Sequence, residues 1–366
     1  MFKEKSRKNY IIIFTISIIS ALLFISGCSY GIDFDKLEQN TAANDVTVST
    51  STESFNNTGE SSSNGTATEK IEKITVNIGS LKGPTSIGMI KMHEEKPRLS
   101  DKIAANYIIV PNPEVMVSKL LSGEIDIATL PTNVAAKLYN KGLDYKLAAV
   151  TGYGVLYILD NSGGLKDWSS LKGKKINVIS KGSTPDVALR FLLEKNGLDA
   201  GNDVKLDYTL EQVELSQMMI ADKAEIAILP EPFVTMVISK NSQVKIAFDI
   251  EKEWKKVRND NPMPMSCVVV KSALIDNNKE EIGNFLKLYR ESIEWVNSDI
   301  EQAALLVEKN EIGMDAKTAE EAIPRCNIKF TEISLAQGIV QDYLNAILDF
   351  SPDDVGGKIP DENFYY

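Results

Sequence analysis

The chain has 366 residues, three cysteines and a formal net charge of -11. An acidic surface opposes binding to nucleic acid and to anionic lipid headgroups, so we expect no nucleic-acid partner. The cysteines are too few for a disulfide scaffold, and the apolar core must therefore provide the stability. Cys267 and Cys326 could form one disulfide or remain buried thiols.

The first 27 residues have the pattern of an export signal. A basic patch precedes an apolar run from Ile11 to Phe24, which is shorter than the roughly twenty residues a spanning helix needs. The run ends at Ile25-Ser26-Gly27-Cys28, which resembles the lipobox of bacterial lipoproteins. This resemblance implies cleavage before Cys28 and lipid attachment to Cys28, which would anchor the protein on the extracellular face of the cell membrane. The alternative is an uncleaved membrane anchor.

Residues 28–69 form the second segment. From Glu38 to about Glu69 the chain is dominated by Ser, Thr, Asn, Gly and Glu. Few apolar groups are present to offset the entropy of ordering, so we predict a flexible tether with a root-mean-square reach of roughly 35 Å. Residues 1–27 carry a net charge of +3, which leaves about -14 on the processed chain.

Residues 70–366 are predicted to form the folded part, whose size favours two lobes. Apolar runs typical of strands alternate with helical periodicity up to residue 271, and the pattern is mostly helical after Ser272. This alternation predicts an α/β fold with mostly parallel sheets. The predicted strands are Ile74–Gly79, Asn106–Val110, Ile125–Leu130, Lys146–Val150, Lys175–Ile179, Ile226–Leu229, Lys245–Asp249 and Cys267–Lys271.

An internal repeat indicates that the two lobes are similar. Lys82-Gly83-Pro84-Thr85 matches Lys181-Gly182-Ser183-Thr184, and residues 124–131 match residues 223–230, both at an offset of 99. Open α/β sheets bind ligands beyond the carboxyl ends of their strands, where these loops are expected to lie. Their hydroxyl groups would either contact a ligand or cap the helices that follow.

The loops together resemble the extracellular solute-binding proteins of ABC importers, in the nitrate/sulfonate/taurine and thiamine-pyrimidine-precursor group. The resemblance covers nearly all of residues 73–350. It is carried by Gly83-Pro84-Thr85-Ser86-Ile87-Gly88-Met89, Leu130-Pro131-Thr132-Asn133-Val134-Ala135, Leu171-Lys172-Gly173-Lys174-Lys175-Ile176, Lys181-Gly182-Ser183-Thr184-Pro185 and Leu229-Pro230-Glu231-Pro232-Phe233.

The resemblance implies a type II periplasmic-binding-protein fold, with lobe one at about 70–153 and 250–366 and lobe two at about 154–249. The crossovers that form the hinge are expected near Tyr153–Leu159 and Asp249–Cys267. The implied ligand-binding residues are Thr85, Ser86, Thr132, Asn133, Thr151, Gly152, Ser183, Thr184 and Glu231.

Several side chains near these loops have two interpretations. Glu231 would accept from an amine or amide of the ligand, or cap the helix that begins at Phe233. Lys181 would pair with an anion or remain solvated. Tyr153 and Tyr157 would stack on a ring or line the hinge. The implied loops contain no arginine, which favours a neutral or amine-bearing heterocycle over sulfonate or nitrate.

The implied function is capture of a small solute by a monomer that docks on an ABC permease and its ATPase, with no cofactor, no metal and no chemistry on the ligand. A sensor that reports to a membrane receptor is the alternative. An enzyme is less favoured, although a pyrimidine synthase and some menaquinone-pathway enzymes resemble this fold. The synthase's relatives use a histidine and a cysteine-rich iron motif, whereas here His93 is the single histidine and is expected to be solvated.

Overall fold

The computed structural model describes residues 74–179 and 181–366. The signal, Cys28 and the tether predicted from the sequence lie outside the described residues. The strands are β1 (Ile74–Leu81), β2 (Ile103–Val110), β3 (Ile127–Pro131), β4 (Tyr145–Tyr153), β5 (Leu156–Asp160), β6 (Lys175–Asn177), β7 (Lys205–Asp207), β8 (Ile226–Pro230), β9 (Lys245–Asp249), β10 (Pro264–Lys271) and β11 (Ile328–Glu332).

The α-helices are α1 (Pro84–Gly88), α2 (Ile90–Glu95), α3 (Pro113–Leu121), α4 (Thr132–Asn140), α5 (Thr184–Lys195), α6 (Gln212–Ile220), α7 (Phe233–Lys240), α8 (Ile250–Val257), α9 (Ser272–Asn277), α10 (Lys279–Ser298), α11 (Ile300–Lys309), α12 (Ala316–Ala322) and α13 (Ile333–Phe350). Short 3-10 segments lie at Trp168–Leu171, Ile323–Arg325, Pro352–Val355 and Glu362–Phe364. None of the helices in the part of the chain that the structure describes is long and apolar enough to span a bilayer.

Two sheets organise the molecule. The first has the order β11-β4-β10-β3-β1-β2 and the second has the order β7-β6-β8-β5-β9. We call each sheet, with the helices packed on it, lobe one and lobe two respectively. The chain passes from lobe one to lobe two between Tyr153 and Leu156, and it returns through α8 between Asp249 and Pro264. The predicted two-lobed α/β fold is confirmed.

The prediction that the sheets are mostly parallel is wrong. Among the strands that the structure describes, β1–β2, β1–β3, β6–β7 and β6–β8 pair in parallel, whereas β10 and β5 pair antiparallel with both neighbours and β11 pairs antiparallel with β4. Helical crossovers produce the parallel pairs. The strands that carry the chain between the lobes, β4, β5, β9 and β10, take part in the antiparallel pairs.

The sequence repeat corresponds to a structural repeat. Strands β2-β1-β3 in lobe one and β7-β6-β8 in lobe two occupy equivalent positions, each beside an antiparallel strand. Strand β3 at 127–131 and strand β8 at 226–230 are offset by the same 99 residues as the sequence match. Both end in proline at the edge where a helix begins.

All eight predicted strands overlap an observed strand, but three strands were missed. Strand β5 lies within the segment assigned to the first crossover, β7 has only three residues, and β11 lies in the region predicted to be helical. The polar residues that alternate with Ile328 and Phe330 suit an edge strand, and β11 lies at the edge of the described sheet, beside β4.

One apolar cluster joins the lobes. Trp254 of α8 is 1% exposed, and its ring packs against Phe191 of α5 at 4.9 Å and Tyr343 of α13 at 5.6 Å between centroids. Helix α8, which forms the second crossover, thus packs against α5 of lobe two and α13 of lobe one. Cys267 and Cys326 are buried free thiols, so the disulfide alternative is not realised.

Candidate ligand cleft

The loop after β1 brings two predicted ligand residues together. Gly83 has φ 119° and lets the chain turn directly into α1, a conformation that favours glycine. The hydroxyls of Thr85 and Ser86 both donate to the carbonyl oxygen of Leu81, at 2.8 and 2.7 Å. Neither side chain caps α1, so the cap interpretation is wrong here: both hydroxyls bond back to the end of the strand.

A buried polar chain lies behind this loop. Ser80 Oγ is 2.8 Å from Ser86 Oγ and 2.8 Å from His93 Nε2. His93 is only 5% exposed, so the expectation of a solvated side chain is wrong, because α2 directs the ring inward to Ser80. Burial, with a smaller contribution from the charge of Lys96, lowers the pKa of His93 to about 4. The histidine therefore orders the loop as a neutral ring.

Acid is expected to weaken the fold through His93. Because the folded state holds the pKa below its ordinary 6.5, the unfolded chain binds the proton first, and stability falls as pH drops from 6.5 toward 4. We expect a loss of about 2 kcal/mol between about pH 7 and about pH 5. Urea unfolding should show this loss in the wild type relative to His93→Gln. An imidazole resonance that titrates near its ordinary pKa would contradict the prediction.

The second-lobe loop makes a direct contact across the lobes. Helix α5 begins at Thr184, after Ser183, whose hydroxyl donates to Ile179 O at 2.7 Å and does not cap the helix. Thr184 Oγ1 donates to Asn133 Oδ1 of α4 at 3.1 Å. Both residues are at least nine-tenths buried. The first turns of α4 and α5 therefore face each other, and two residues predicted from different lobes are in contact.

Thr132, the first residue of α4, carries an unsatisfied hydroxyl. Thr132 is fully buried, and its Oγ1 makes no hydrogen bond of normal geometry in the structure. The Cys267 thiol lies beside it: burial raises the pKa of Cys267 to about 12, and the Thr132 hydroxyl offsets part of that rise. A buried polar group without a partner is costly, which makes this hydroxyl a suitable contact for a ligand or water.

Thr151 and Gly152 lie at the end of β4 against the neighbouring strand. Thr151 Oγ1 is 3.2 Å from Ser266 Oγ, and a Cβ at position 152 would lie 2.8 Å from the same oxygen. Tyr289 Oη donates to the backbone oxygen of Thr85 at 3.1 Å, and the Thr151 hydroxyl also reaches Tyr289. Strand β4 is thereby tied to the loop after β1.

Glu231 is fully buried and has three donors. Its Oε2 accepts from the Thr235 amide at 3.0 Å and from the Thr235 hydroxyl at 2.8 Å, so it caps α7. Its Oε1 accepts from Arg325 Nε at 2.7 Å, and an Arg325 amino group also donates to the Thr235 hydroxyl. The carboxylate of lobe two is thus held by a cation of lobe one.

Arg325 was missed by the sequence analysis, as were Ser266 and Tyr289. The implied loops contain no arginine, but Arg325 reaches Glu231 from outside them. Arg325 lies in the 3-10 turn Ile323–Arg325, far from every loop that showed the repeat, and no local signal marked it. Because its charge is matched by Glu231, the pair is neutral overall, and the cleft residues alone favour neither an anion nor a cation.

Three other side chains, Lys181, Tyr153 and Tyr157, had two interpretations in the sequence. Lys181 is exposed. Tyr153 is buried at the hinge and donates to Thr331 Oγ1 at 2.9 Å. Burial raises the pKa of Tyr157, with smaller contributions from Asp249 and Glu231.

Among residues 74–179 and 181–366, no three His, Cys, Asp or Glu side chains are grouped to hold a metal ion.

Comparisons with known proteins agree on the fold. An ABC transporter protein from Parabacteroides distasonis is 28% identical with a TM-score of 0.68, covering 80% of this chain and 99% of that one. The periplasmic aliphatic sulphonate binding protein SsuA from Escherichia coli is 19% identical with a TM-score of 0.65, covering 78% and 95%. The alkanesulfonate-binding protein SsuA from Xanthomonas axonopodis pv. citri, bound to MOPS, is 15% identical with a TM-score of 0.60, covering 79% and 96%.

The predicted similarity to the solute-binding proteins of ABC importers is confirmed by these structures. A search of curated protein sequences finds no significant match. The family model described as menaquinone biosynthesis matches residues 97–347, which is more than half of the chain. This protein therefore belongs to the family described as menaquinone biosynthesis, and it has the fold of the periplasmic binding proteins.

Proposed function

We propose that this protein is an extracellular solute-binding lipoprotein that captures a small solute between its lobes and delivers it to an ABC importer. Lobe one is formed by about residues 70–153 and 250–366, and lobe two by about 154–249. A solute that bridges the lobes stabilises the closed form, and the closed form docks on the permease and its ATPase. The protein acts as a monomer.

The observation that carries the proposal is the pair of polar contacts that joins the two lobes. Thr184 of lobe two bonds to Asn133 of lobe one, and Glu231 of lobe two bonds to Arg325 of lobe one. Beside the first of these contacts, Thr132 has a buried hydroxyl that makes no hydrogen bond of normal geometry with any residue that the structure describes. A solute that bridges the lobes would contact polar groups from both of them, because a small number of placed polar groups gives a ligand site its specificity.

Thr184→Ala should weaken binding of the solute about fivefold, since one neutral hydrogen bond contributes about 1 kcal/mol. The solute is the first compound from a panel of sulfonates, pyrimidines and amines that raises the melting temperature of the wild type. Isothermal titration would measure the dissociation constant. Thr85→Ala should act in the same direction.

Thr184→Ser is the matched control, because it keeps the hydroxyl and should keep the affinity. Loss of stability alone would lower the melting temperature of the free protein, whereas loss of a contact lowers the solute-induced rise. Unchanged affinity in both alanine variants would place the binding site elsewhere.

Cys28→Ser should release the protein into the medium or block its processing, because the lipid would attach at Cys28. The sequence Ile25-Ser26-Gly27-Cys28 supports this expectation. Cell fractionation and fatty-acid labelling would measure it. Normal processing with unchanged membrane retention, and no label in the wild type, would rule out the lipid anchor.

Two other roles are distinguishable from import. A sensor would bind the same solute but contact a membrane receptor, and crosslinking in cells would capture that receptor in place of a permease. The family description favours a second candidate, a role in menaquinone biosynthesis. Deleting the gene would lower cellular menaquinone in that case, and would leave menaquinone unchanged while abolishing solute uptake if the protein serves an importer.

A further inference from the structure

A cavity of about 620 Å³ lies beside the hinge, away from the residues predicted to form the cleft. It is lined in part by Tyr153, Glu251, Lys255, Lys329, Leu335 and Ile339. Its volume is in the range of sites for small organic molecules. None of the nine predicted ligand residues lines it, so the cleft does not account for it.

Both crossovers contribute to this cavity. Tyr153 is the last residue of β4, and Glu251 lies in the first turn of α8. The crossovers touch at Gly154, where a Cβ would collide with the side chain of Glu251. The cavity is therefore built on the segment where the chain passes between the lobes.

Glu251 supplies a buried polar atom to the cavity wall. The residue is only 7% exposed, and its Oε2 accepts from the Met263 amide at 3.0 Å. Lys255 Nζ lies 3.2 Å from Oε1 as an ion pair, and no residue that the structure describes makes a hydrogen bond of normal geometry with Oε1. A ligand N–H or O–H would add a well-aligned hydrogen bond to this ion-paired oxygen.

The other charged groups leave one cation in excess. Arg290 pairs with Glu332, and Lys255 pairs with Glu251. Lys329 is exposed and forms no ion pair with any residue that the structure describes. A ligand that enters the cavity therefore meets a net positive charge.

Part of the cavity wall is apolar. Leu335 is 74% exposed, and Ile339 lies one helical turn further along α13, so both present methyl groups to the same space. An apolar ligand body would remove these groups from water.

We propose that this cavity binds a small organic anion that combines an apolar body with a hydrogen-bond donor. The anionic group lies at Lys329, the donor bonds to Glu251 Oε1, and the body packs on Leu335 and Ile339. This site is separate from the cleft and does not depend on the solute proposed for it.

The probe is 4-hydroxyphenylacetate, titrated into the wild-type protein by calorimetry. Two related probes isolate its parts: phenylacetate lacks the donor, and 4-hydroxyphenylethanol lacks the charge. We expect saturable binding of 4-hydroxyphenylacetate. We expect 4-hydroxyphenylethanol to bind about tenfold more weakly, since hydrogen bonds to ionised groups are stronger than those between neutral groups.

Lys329→Gln should weaken the binding of 4-hydroxyphenylacetate about tenfold. Lys166→Gln, at an exposed lysine of lobe two, should leave its affinity unchanged. Thr184→Ala should also leave this affinity unchanged. Absence of saturable binding to the wild type would overturn the proposal. Weakening by Thr184→Ala but not by Lys329→Gln would also overturn it, because the anion would then occupy the cleft.

Discussion

Arg325→Ala is expected to lower the free energy of unfolding by roughly 3 kcal/mol, because it leaves the fully buried carboxylate of Glu231 without its cation. Arg325 itself is about one-third exposed, so water can replace part of the lost interaction, and the cost falls at the lower end of the range for a buried pair. Urea unfolding of the purified folded part would measure the change.

Arg290→Ala is the matched control, since it breaks an arginine–glutamate pair whose side chains are both more than 40% exposed. That loss should be below about 1 kcal/mol. Adding Glu231→Gln to Arg325→Ala should recover part of the stability, because the orphaned charge is removed. Equal effects of Arg325→Ala and Arg290→Ala would show that the Glu231 carboxylate remains accessible to water.

Trp254→Ala is expected to cost about 3–5 kcal/mol, because it leaves a large cavity among Phe191, Tyr343 and the crossover helix α8. Since the two ring contacts belong to different lobes, the variant should also loosen the lobes relative to each other. Guanidinium unfolding would report the stability. Small-angle scattering would report the separation of the lobes.

Trp254→Phe should be much milder. Trp254 Nε1 is buried and has no hydrogen-bond partner among residues 74–179 and 181–366, so phenylalanine removes ring volume without breaking a hydrogen bond seen there. We expect about 1–2 kcal/mol for this change. A phenylalanine variant as unstable as the alanine variant would mean that the indole N–H has a partner, such as an ordered water.

The fold could be predicted from the sequence where apolar runs are long. Strands β3 and β10 were identified because buried strands show as short apolar runs, here Ile127–Leu130 and Cys267–Val270. Strand pairing was not predictable in the same way. The direction of β10 depends on where the chain returns from lobe two, and that is a property of the whole topology.

Among the candidate ligand residues, Thr85 and Thr184 lie in the segments that the sequence repeat marked. Thr85, Asn133 and Thr184 lie in the first turns of the helices α1, α4 and α5, which follow strands in an open α/β sheet that presents ligand contacts beyond its strand ends. Arg325 could not be found, because it reaches Glu231 across 94 residues of sequence with no local pattern. The environment of His93 was also hidden, since its burial depends on how α2 packs onto Ser80.

Capture of a solute between the lobes is tested most directly by a crystal structure of the protein with the first compound that raises its melting temperature. We expect the compound at the first turns of α4 and α5, in contact with both lobes and within hydrogen-bond distance of Thr132, Asn133 or Thr184. A compound bound to one lobe only, or only in the cavity beside Glu251, would contradict the proposed function.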